Sequence, residues 1–327
     1  MEITNKDYFV KKKPFLSICI PAYGRFAITK NTIQSIYSDL EGVDLDDFEV
    51  IICDNDPIMS LKPLQKEFNF SNFYYKTSRA EGFMNSLSAM SFGNGHFIKL
   101  HNNTMTFKKR TLYDLVNFVK INIQKKPSIF YTNGSLKKNS ERHYEDFNQY
   151  MKNLSYFSSW SNGFTIWSSN FHYKEYNIDN YFPHVSLLFL QSDNSSFVIC
   201  DNELFKMQTV RNKGGYNIFK IFCKNYLGLL KEGVLNKKID PNTFKVIKKD
   251  ILLKFLPLNF FKTKIIKVER YNSEGIKNNI DAEYPWYGFY LVVVIGSLFF
   301  FYYLYEYAQK ILVKIFSFLR NSKQISN

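Results

Sequence analysis

The first third of the chain alternates short apolar runs with segments of helical spacing, and this alternation narrows the fold more than any other feature. "FLSICI" (15–20), "FEVIIC" (48–53), "FYYKT" (73–77), "HFIKL" (96–100) and "SIFYT" (128–132) read as buried strands. Between the first two, "AITKNTIQSIYSDL" (27–40) places Ile28, Ile33, Ile36 and Leu40 near one face of a helix. "LKPLQKEF" (61–68), "GFMNSLSAMSFG" (82–93) and "KRTLYDLVNFVKINI" (109–123) read as the remaining helices. Strands separated by helices form βαβ units, hence an α/β fold with a mostly parallel sheet flanked by helices. Such sheets bind ligands beyond the carboxyl ends of their strands. The segments to read for function are therefore 21–25, 54–56, 78–82 and 101–104.

The first strand ends in "IPAYGR" (20–25). Pro21 fixes the backbone where the strand stops, Tyr23 offers a ring to stack on a base, and Arg25 offers a cation for phosphate. An ordinary turn would use the same residues. "CDND" (53–56) closes the second strand, and Asp54 there can hydrogen-bond a base or a ribose hydroxyl, or cap a helix. No G-x-G-x-x-G follows the first strand and no G-x-x-x-x-G-K-[ST] occurs, so neither the dinucleotide cradle nor the P-loop is present. A nucleotide must then be held by side chains from several strand ends. The fourth end, "LHNNT" (100–104), is polar but carries no acid.

The 327 residues, 45% of them hydrophobic, suffice for one large domain or for one domain with a tail. A formal charge of +14 fits a phosphorylated substrate, a polyanion or an anionic membrane face, and equally a Lys- and Asn-rich background composition. The basic residues are scattered and concentrate near the C-terminus rather than forming an aromatic-interleaved stripe, so nucleic acid is not an expected partner. Cys19, Cys53, Cys200 and Cys223 form no C-x-x-C pair; Cys19 and Cys53 lie in apolar runs as small hydrophobes, which points to a reducing compartment. The opening "MEITNKDYFVKKKPF" has no apolar signal core, so secretion is not expected.

Residues 137–208 are less regular, and from Asn212 basic helical segments such as "NIFKIFCKNYLGLL" and "NTFKVIKKDILLKFL" dominate. "PWYGFYLVVVIGSLFFFYYLY" (285–305) then runs without a charge, long enough to cross a bilayer and flanked by Trp286, Tyr287 and further tyrosines. A basic amphipathic stretch follows it. A full span would place Lys310, Lys314, Arg320 and Lys323 outside the cytoplasm, against the positive-inside tendency. Membrane association in the plane or as a re-entrant segment is the expectation; a buried C-terminal helix is the alternative.

The order of these pieces resembles the family 2 glycosyltransferases of the GT-A fold, the nucleotide-sugar enzymes of polysaccharide, capsule and O-antigen synthesis. The resemblance covers residues 15–134. "LSICIPAYGR" looks like the family's opening strand and loop, and "FEVIICDND" like its second strand with a base-contacting Asp. "SRAEGFMNSLSAMSFGNGHFIKL" is similar to its R/N-x-x-G…N…A-x-G-x-Y-I stretch, and "YFPHVSLLFL" resembles a segment of capsule and O-antigen transferases.

The resemblance implies a GT-A-like Rossmann-type sheet in which Pro21, Tyr23, Arg25 and Asp54 bind the nucleoside, and Arg79 and Asn85 face the diphosphate or sugar. Asn102, Asn103 and Thr104 would sit at the diphosphate, where the family carries an acidic D-x-D cluster for a divalent metal. Three readings stay open. Mg²⁺ or Mn²⁺ is held by the neutral Asn102 and Thr104 with help from His101; or Arg25, Arg79 or the 108–110 cations replace the metal; or catalysis is lost.

The family's commonest outcome, inversion at the anomeric carbon, needs a base for the acceptor hydroxyl. Asp179 and His184 in "DNYFPHV" are the candidates, with Asp201 and Glu203 as rivals. The implied activity is transfer of a sugar from a nucleotide diphosphate sugar, UDP-linked by the resemblance, to a growing, lipid-linked cell-surface glycan at the cytoplasmic face of the cell membrane. A non-catalytic nucleotide-sugar binder or scaffold is the alternative. Three regions are expected: 1–211 for donor and acceptor, 212–284 as a basic helical extension, and 285–327 as a membrane-associating tail.

Overall fold

The computed structural model describes the backbone of residues 12–210 and 214–325, and the side chains of all these except 306–308 and 310–325. Most of the N-terminal stretch read for a signal core, and the side chains of Lys310, Lys314, Arg320 and Lys323, lie outside the described residues. The chain divides into two compact units, one of Met1–Thr209 with Leu229–Thr243, the other of Val210–Gly228 with Phe244–Asn327.

The described strands are β1 (Leu16–Ala22), β2 (Phe48–Asp54), β3 (Phe73–Thr77), β4 (Phe97–Leu100), β5 (Met105–Phe107), β6 (Ser128–Tyr131), β7 (Glu141–Tyr144), β8 (Thr165–Trp167), β9 (Phe197–Cys200) and β10 (Phe205–Met207). The helices that flank them are α1 (Phe26–Tyr37), α2 (Leu64–Glu67), α3 (Asn85–Ser91), α4 (Thr111–Asn122), α5 (Phe147–Leu154) and α6 (Pro183–Leu190). The main sheet has the order β3-β2-β1-β4-β8. Its first four members are parallel, whereas β8 runs antiparallel to β4. All seven residues of β2 are buried, as a strand covered on both faces requires.

One expectation is corrected. The 128–132 run is a strand, but it is not the fifth strand of this sheet. β6 pairs in parallel with β9 in a second sheet of order β6-β9-β7, and the edge beside β4 is taken by β8 from the irregular middle. An apolar run identifies a buried strand but not its neighbour. The two sheets are joined by Thr165, whose hydroxyl donates to the Ile129 carbonyl (2.5 Å), and by Trp167, whose indole N–H donates to the Pro127 carbonyl (2.8 Å).

The "GNG" before β4 has a packing reason. A Cβ on Gly95 would lie 2.6 Å from the Ser17 hydroxyl and 2.8 Å from the Ser17 nitrogen, so only glycine lets this turn pass the start of β1. The buried Glu49 carboxylate closes the same corner, accepting from Ser17 Oγ (2.6 Å) and from the backbone N–H groups of Asn94 and Gly95.

The order 3-2-1-4 places the topological switch point between β1 and β4, because the connection after β1 leads to one side and β4 lies on the other. Register aligns the ends: Ala22 is opposite Asp54, Asp54 opposite Thr77, and Leu100 opposite Cys19. The His101 N–H then donates to the Cys19 carbonyl (2.8 Å), which carries the loop after β4 alongside the end of β1.

The remaining helices are α7 (Ile218–Ile221), α8 (Leu227–Leu235), α9 (Pro241–Asp250), α10 (Leu256–Phe260), α11 (Ile276–Asp281) and α12 (Gly288–Ile325). Wide-turn π segments at Phe222–Tyr226, Ile251–Phe255 and Phe261–Ile265 interrupt this run. The second of them precedes Pro257, which has no N–H for the regular helical ladder. Within the second unit Phe222 stacks on Phe255 (3.8 Å), and α12 approaches α10 at Gly296, where a Cβ would lie 3.0 Å from the Pro257 carbonyl. Residues Gly288–Tyr305 of α12 are long and apolar enough to cross a membrane.

Candidate functional site

Four strand ends line the carboxyl edge of the main sheet, those of β1 and β4 at the switch point, and each loop is braced by named contacts. After β1, Gly24 and Arg25 both hold positive φ (57° each), Arg25 as the residue that starts α1. A non-glycine residue in that region is strained and persists only where its surroundings impose it. The turn leaves Tyr23 62% exposed and Arg25 exposed, and so aims both outward as the sequence reading expects. Pro21 remains inside β1.

The end of β2 is built differently. Asp54 is buried, and its carboxylate accepts from the Asp56 N–H (2.9 Å), the Leu61 N–H (3.2 Å) and the Tyr75 hydroxyl (2.9 Å). It caps the 55–61 loop. Burial, then the bond to Asp54, pushes the Tyr75 hydroxyl well above its ordinary pKa, so it remains a donor at neutral pH. Asp56 is likewise engaged, accepting from the Ile58 N–H (3.2 Å) and from Ser60 Oγ (2.5 Å).

Asn85 is also buried. Its amide donates to the Cys53 carbonyl (2.9 Å) and to Asn55 Oδ1 (3.1 Å), while its own oxygen accepts from the Cys53 thiol (3.2 Å). Asn55 in turn donates to the Ala80 carbonyl (2.9 Å). Asn85 thus ties the end of β2 to the 78–82 loop, which leaves Arg79 exposed. The expected outward role of Asn85 is corrected to this internal one, because every polar atom of its amide already has a partner.

The loop after β4 is pinned on both sides. Asn103 donates to Thr29 Oγ1 (3.0 Å) and its carbonyl accepts from the Thr32 hydroxyl (2.7 Å), both on α1. The Asn102 N–H donates to Asn162 Oδ1 (2.8 Å), and Asn102 Oδ1 accepts from Ser161 Oγ (2.9 Å). The Thr104 carbonyl accepts from the Gln208 N–H (2.9 Å). His101 points inward. Its Nε2 bonds the Met105 carbonyl (2.8 Å) and its ring packs against Phe107 and Phe205. Burial, then the nearby Lys99 charge, pushes its pKa down to about 3. The ring is therefore neutral, protonated on Nε2, and its buried Nδ1 has no partner among the described residues.

Lys99 escaped the sequence reading. It lies in β4 with no exposed surface, three residues before Asn102. Its ammonium donates to the carbonyls of Asn162 (2.6 Å) and Leu100 (3.3 Å) and stands 4.8 Å from the Phe205 ring centre and 5.2 Å from that of Tyr131. Burial pushes its pKa down to about 7. The signal was present in "FIKL": a lysine inside a buried strand demands an explanation. Asn162 and Ser161, which lie some 60 positions further along the chain, carried no such signal.

The candidate bases differ in placement. His184, in the first turn of α6, is buried near Phe164 and Phe182, and Nε2 bonds the Ser159 carbonyl (2.9 Å). Burial pushes its pKa down to about 4. Asp179 accepts from the N–H groups of Tyr181 and Phe182 (2.8 Å each) and so organises the start of α6. Its loop reaches the strand ends, since Tyr181 meets Phe83 of the 82–84 turn with ring centres 6.1 Å apart. Asp201 caps the 132–139 turn: burial alone would raise its pKa, but the Thr132 hydroxyl and the N–H groups of Lys138, Leu136 and Asn139 hold it below the usual range. Glu203 pairs with Lys108 (2.6 Å), which also removes Lys108 from the free cations.

The residues at the β4 end do not make a divalent-metal site by themselves. Asn102 and Thr104 are neutral, His101 is turned away, and a buried ammonium lies beneath the loop. Among the described residues no three His, Cys, Asp or Glu side chains gather as a metal site. A groove of about 540 Å³ lies elsewhere, along α4 and the β7–β9 strands, lined by Asp114, Phe118, Glu141, His143 and Cys200. It holds none of the convergent strand-end groups, so the switch point is the better candidate.

No protein family model matches the chain, and no curated protein does. Solved structures do. TarS of S. aureus (residues 1–349), solved in complex with UDP-GlcNAc, superposes with a TM-score of 0.58 at 14% identity, over 82% of this chain and 80% of that one. The GT-A-like fold is confirmed. A longer TarS structure is also similar (TM-score 0.53, 14% identity), the match covering 83% of this chain and 49% of that one. The mannosyltransferase PcManGT from Pyrobaculum calidifontis, in complex with GDP-Man and Mn²⁺, matches at a TM-score of 0.52 and 10% identity, over 88% of this chain and 87% of that one. At such identities the likeness is one of architecture: a mostly parallel sheet flanked by helices, as the strand–helix alternation predicts.

Proposed function

We propose that the protein is a glycosyltransferase that moves a sugar from a nucleotide diphosphate sugar, most simply a UDP-sugar, to a growing cell-surface glycan. The observation that carries this reading is the placement of exposed Tyr23 and Arg25 after β1, exposed Arg79 after β3 and half-buried Asn102 after β4, all along the carboxyl edge of one GT-A-like sheet. Tyr23 supplies a stacking face for the base, and the two guanidinium groups supply bidentate contacts for a diphosphate. Asp54 contributes by fixing the loop between β2 and α2. Asp179 is the better base for an inverting transfer, because its loop reaches the strand ends whereas His184 is packed in the interior.

A lipid-linked acceptor at the cytoplasmic membrane face is consistent with α12. Tyr287, Tyr290, Val294, Leu298, Phe301 and Tyr305 recur at helical spacing and are all exposed, forming an apolar stripe that fits an interfacial helix. Replacing Tyr290, Val294 and Leu298 together by lysine is expected to shift the protein from sedimenting with lipid vesicles to the supernatant. Unchanged sedimentation would reject the membrane role.

The neutral β4 end favours one second reading, a nucleotide-sugar binder without turnover. Release of nucleoside diphosphate from UDP-GlcNAc or GDP-mannose, with acceptor glycolipid present, separates the two. Binding with no release would establish the second reading, and absence of binding would reject both.

A further inference from the structure

A metal-dependent donor site works because a divalent cation offsets the diphosphate charge. Here the strand-end loop offers neutral amides, a hydroxyl and an inward-turned imidazole. The buried cationic group next to this loop is Lys99 of β4, two residues before His101. A buried ammonium costs several kcal/mol unless it is paired or used, and among the described residues no carboxylate pairs with this one. The groups facing it are the carbonyls of Asn162 and Leu100, the rings of Tyr131 and Phe205, the His101 imidazole, and the Cys200 thiol. None of these neutralises it: burial pushes the Tyr131 hydroxyl far up, the Cys200 thiol to about 12, and His101 to about 3.

Its tether has a direction. The Asn162 carbonyl holds the ammonium, and the Asn162 side chain holds the Asn102 backbone (2.8 Å). Two neighbouring polar atoms, His101 Nδ1 and Asn162 Nδ2, are buried without partners among the described residues. Of these, Asn162 Nδ2 is a donor that an anionic ligand would satisfy, whereas Nδ1 of the Nε2-protonated His101 ring is an acceptor and gives an anion nothing.

We propose that Lys99 is a positioning residue that makes the donor site independent of divalent metal: it fixes Asn102 through Asn162 and supplies from beneath the loop the positive charge that a metal would otherwise bring to the diphosphate. This rests on the donor-site reading above. In the low-dielectric interior such a charge acts over several ångströms with little screening. Binding of an anionic diphosphate stabilises the protonated amine, so the complex takes up a proton when the pH lies above the free-state pKa of Lys99.

The test is isothermal calorimetry on the full chain with UDP-GlcNAc and GDP-mannose, whose diphosphates have no ionisation near neutral pH. Titrations are run in EDTA and in Mn²⁺, between about pH 6 and about pH 8.5, in buffers of different ionisation enthalpy. Wild type is expected to bind one probe in EDTA, more tightly at lower pH, with net proton uptake. Lys99→Met is expected to bind about tenfold more weakly (about 1.4 kcal/mol) without proton uptake. Lys99→Arg, which keeps the charge, is expected to restore metal-free binding without the pH dependence.

Binding that requires Mn²⁺, or a Lys99→Met protein with wild-type affinity and pH profile, would overturn the proposal while leaving the donor site standing. No binding of either probe under any condition would overturn the donor-site reading and this inference with it. If Lys99→Met does not fold, the wild-type arms decide alone, because metal-free binding without proton uptake contradicts the role of Lys99.

Discussion

The carboxyl ends of β2 and β4 flank β1 on opposite sides and treat charge in opposite ways. The β2 end is rich in acid, yet the Asp54 carboxylate is buried and committed to the loop, and Asp56 is bonded to its own turn. The β4 end is neutral at its surface and hides a cation one layer down. Acids at a strand end are thus not a measure of how that end meets a ligand. What counts is whether the carboxylate oxygens already have donors, and what charge lies beneath the loop.

The largest expected effect falls on the β2 end. Asp54→Ala strips three donors of their buried acceptor and is expected to destabilise the fold by about 2–4 kcal/mol in urea unfolding. A stable Asp54→Ala protein with weakened nucleotide binding would instead restore Asp54 as a base contact and erase the contrast.

Next come the exposed cations that follow β1 and β3. Arg25→Ala and Arg79→Ala are each expected to weaken nucleotide-sugar binding by about 1.5–3 kcal/mol in calorimetry, with unfolding unchanged. If neither does, the diphosphate lies elsewhere.

The hidden cation has a signature in stability alone. The pKa of Lys99 is depressed in the folded state to about 7, so between there and its unfolded value the unfolded chain holds more protons. Wild type should therefore gain stability relative to Lys99→Met as pH rises from about 7 to about 10, with a slope of up to about 1.4 kcal/mol per pH unit. Parallel curves would mean that Lys99 is not buried as an unpaired amine. The two buried imidazoles act lower on the scale. His101 and His184 stay neutral when folded, so stability is lost as pH falls from about 6.5 towards their folded values of about 3 and about 4. His184→Gln should flatten part of that acid limb.

The smallest effect sharpens the β4 side. Asn102→Asp with Thr104→Asp gives this end the acids that β2 already has, and is expected to tighten Mn²⁺ binding by about tenfold while weakening donor binding in EDTA. Tight Mn²⁺ binding by the unaltered protein without nucleotide would place a metal site on other residues.

Much of this was legible in the sequence. Residues 48–53 read as a strand and form β2 at Phe48–Asp54; "HFIKL" forms β4 at Phe97–Leu100. Apolar periodicity reports burial locally, and these strands are buried on both faces. The antiparallel β8 and the separate β6-β9-β7 sheet were not legible, because pairing joins segments far apart in sequence and leaves no mark in either one. The site divides in the same way. Tyr23, Arg25 and Arg79 could be read from their place after strands, whereas the inward bonds of Asp54, Asn85 and His184 depend on partners such as Tyr75, Asn55 and Ser159. The Lys99–Asn162 bond crosses 63 residues and only the fold reveals it.

A nucleotide sugar bound at the β1–β4 switch point would shield the loops after the strand ends from solvent. Hydrogen–deuterium exchange of the full chain with saturating UDP-GlcNAc or GDP-mannose tests it directly. Slowed exchange is expected in the peptides that contain Tyr23 and Arg25, Arg79, and Asn102–Thr104, with the α4 and β9 groove unchanged. Protection confined to the groove around Glu141, His143 and Cys200, with the strand ends unaffected, would contradict it.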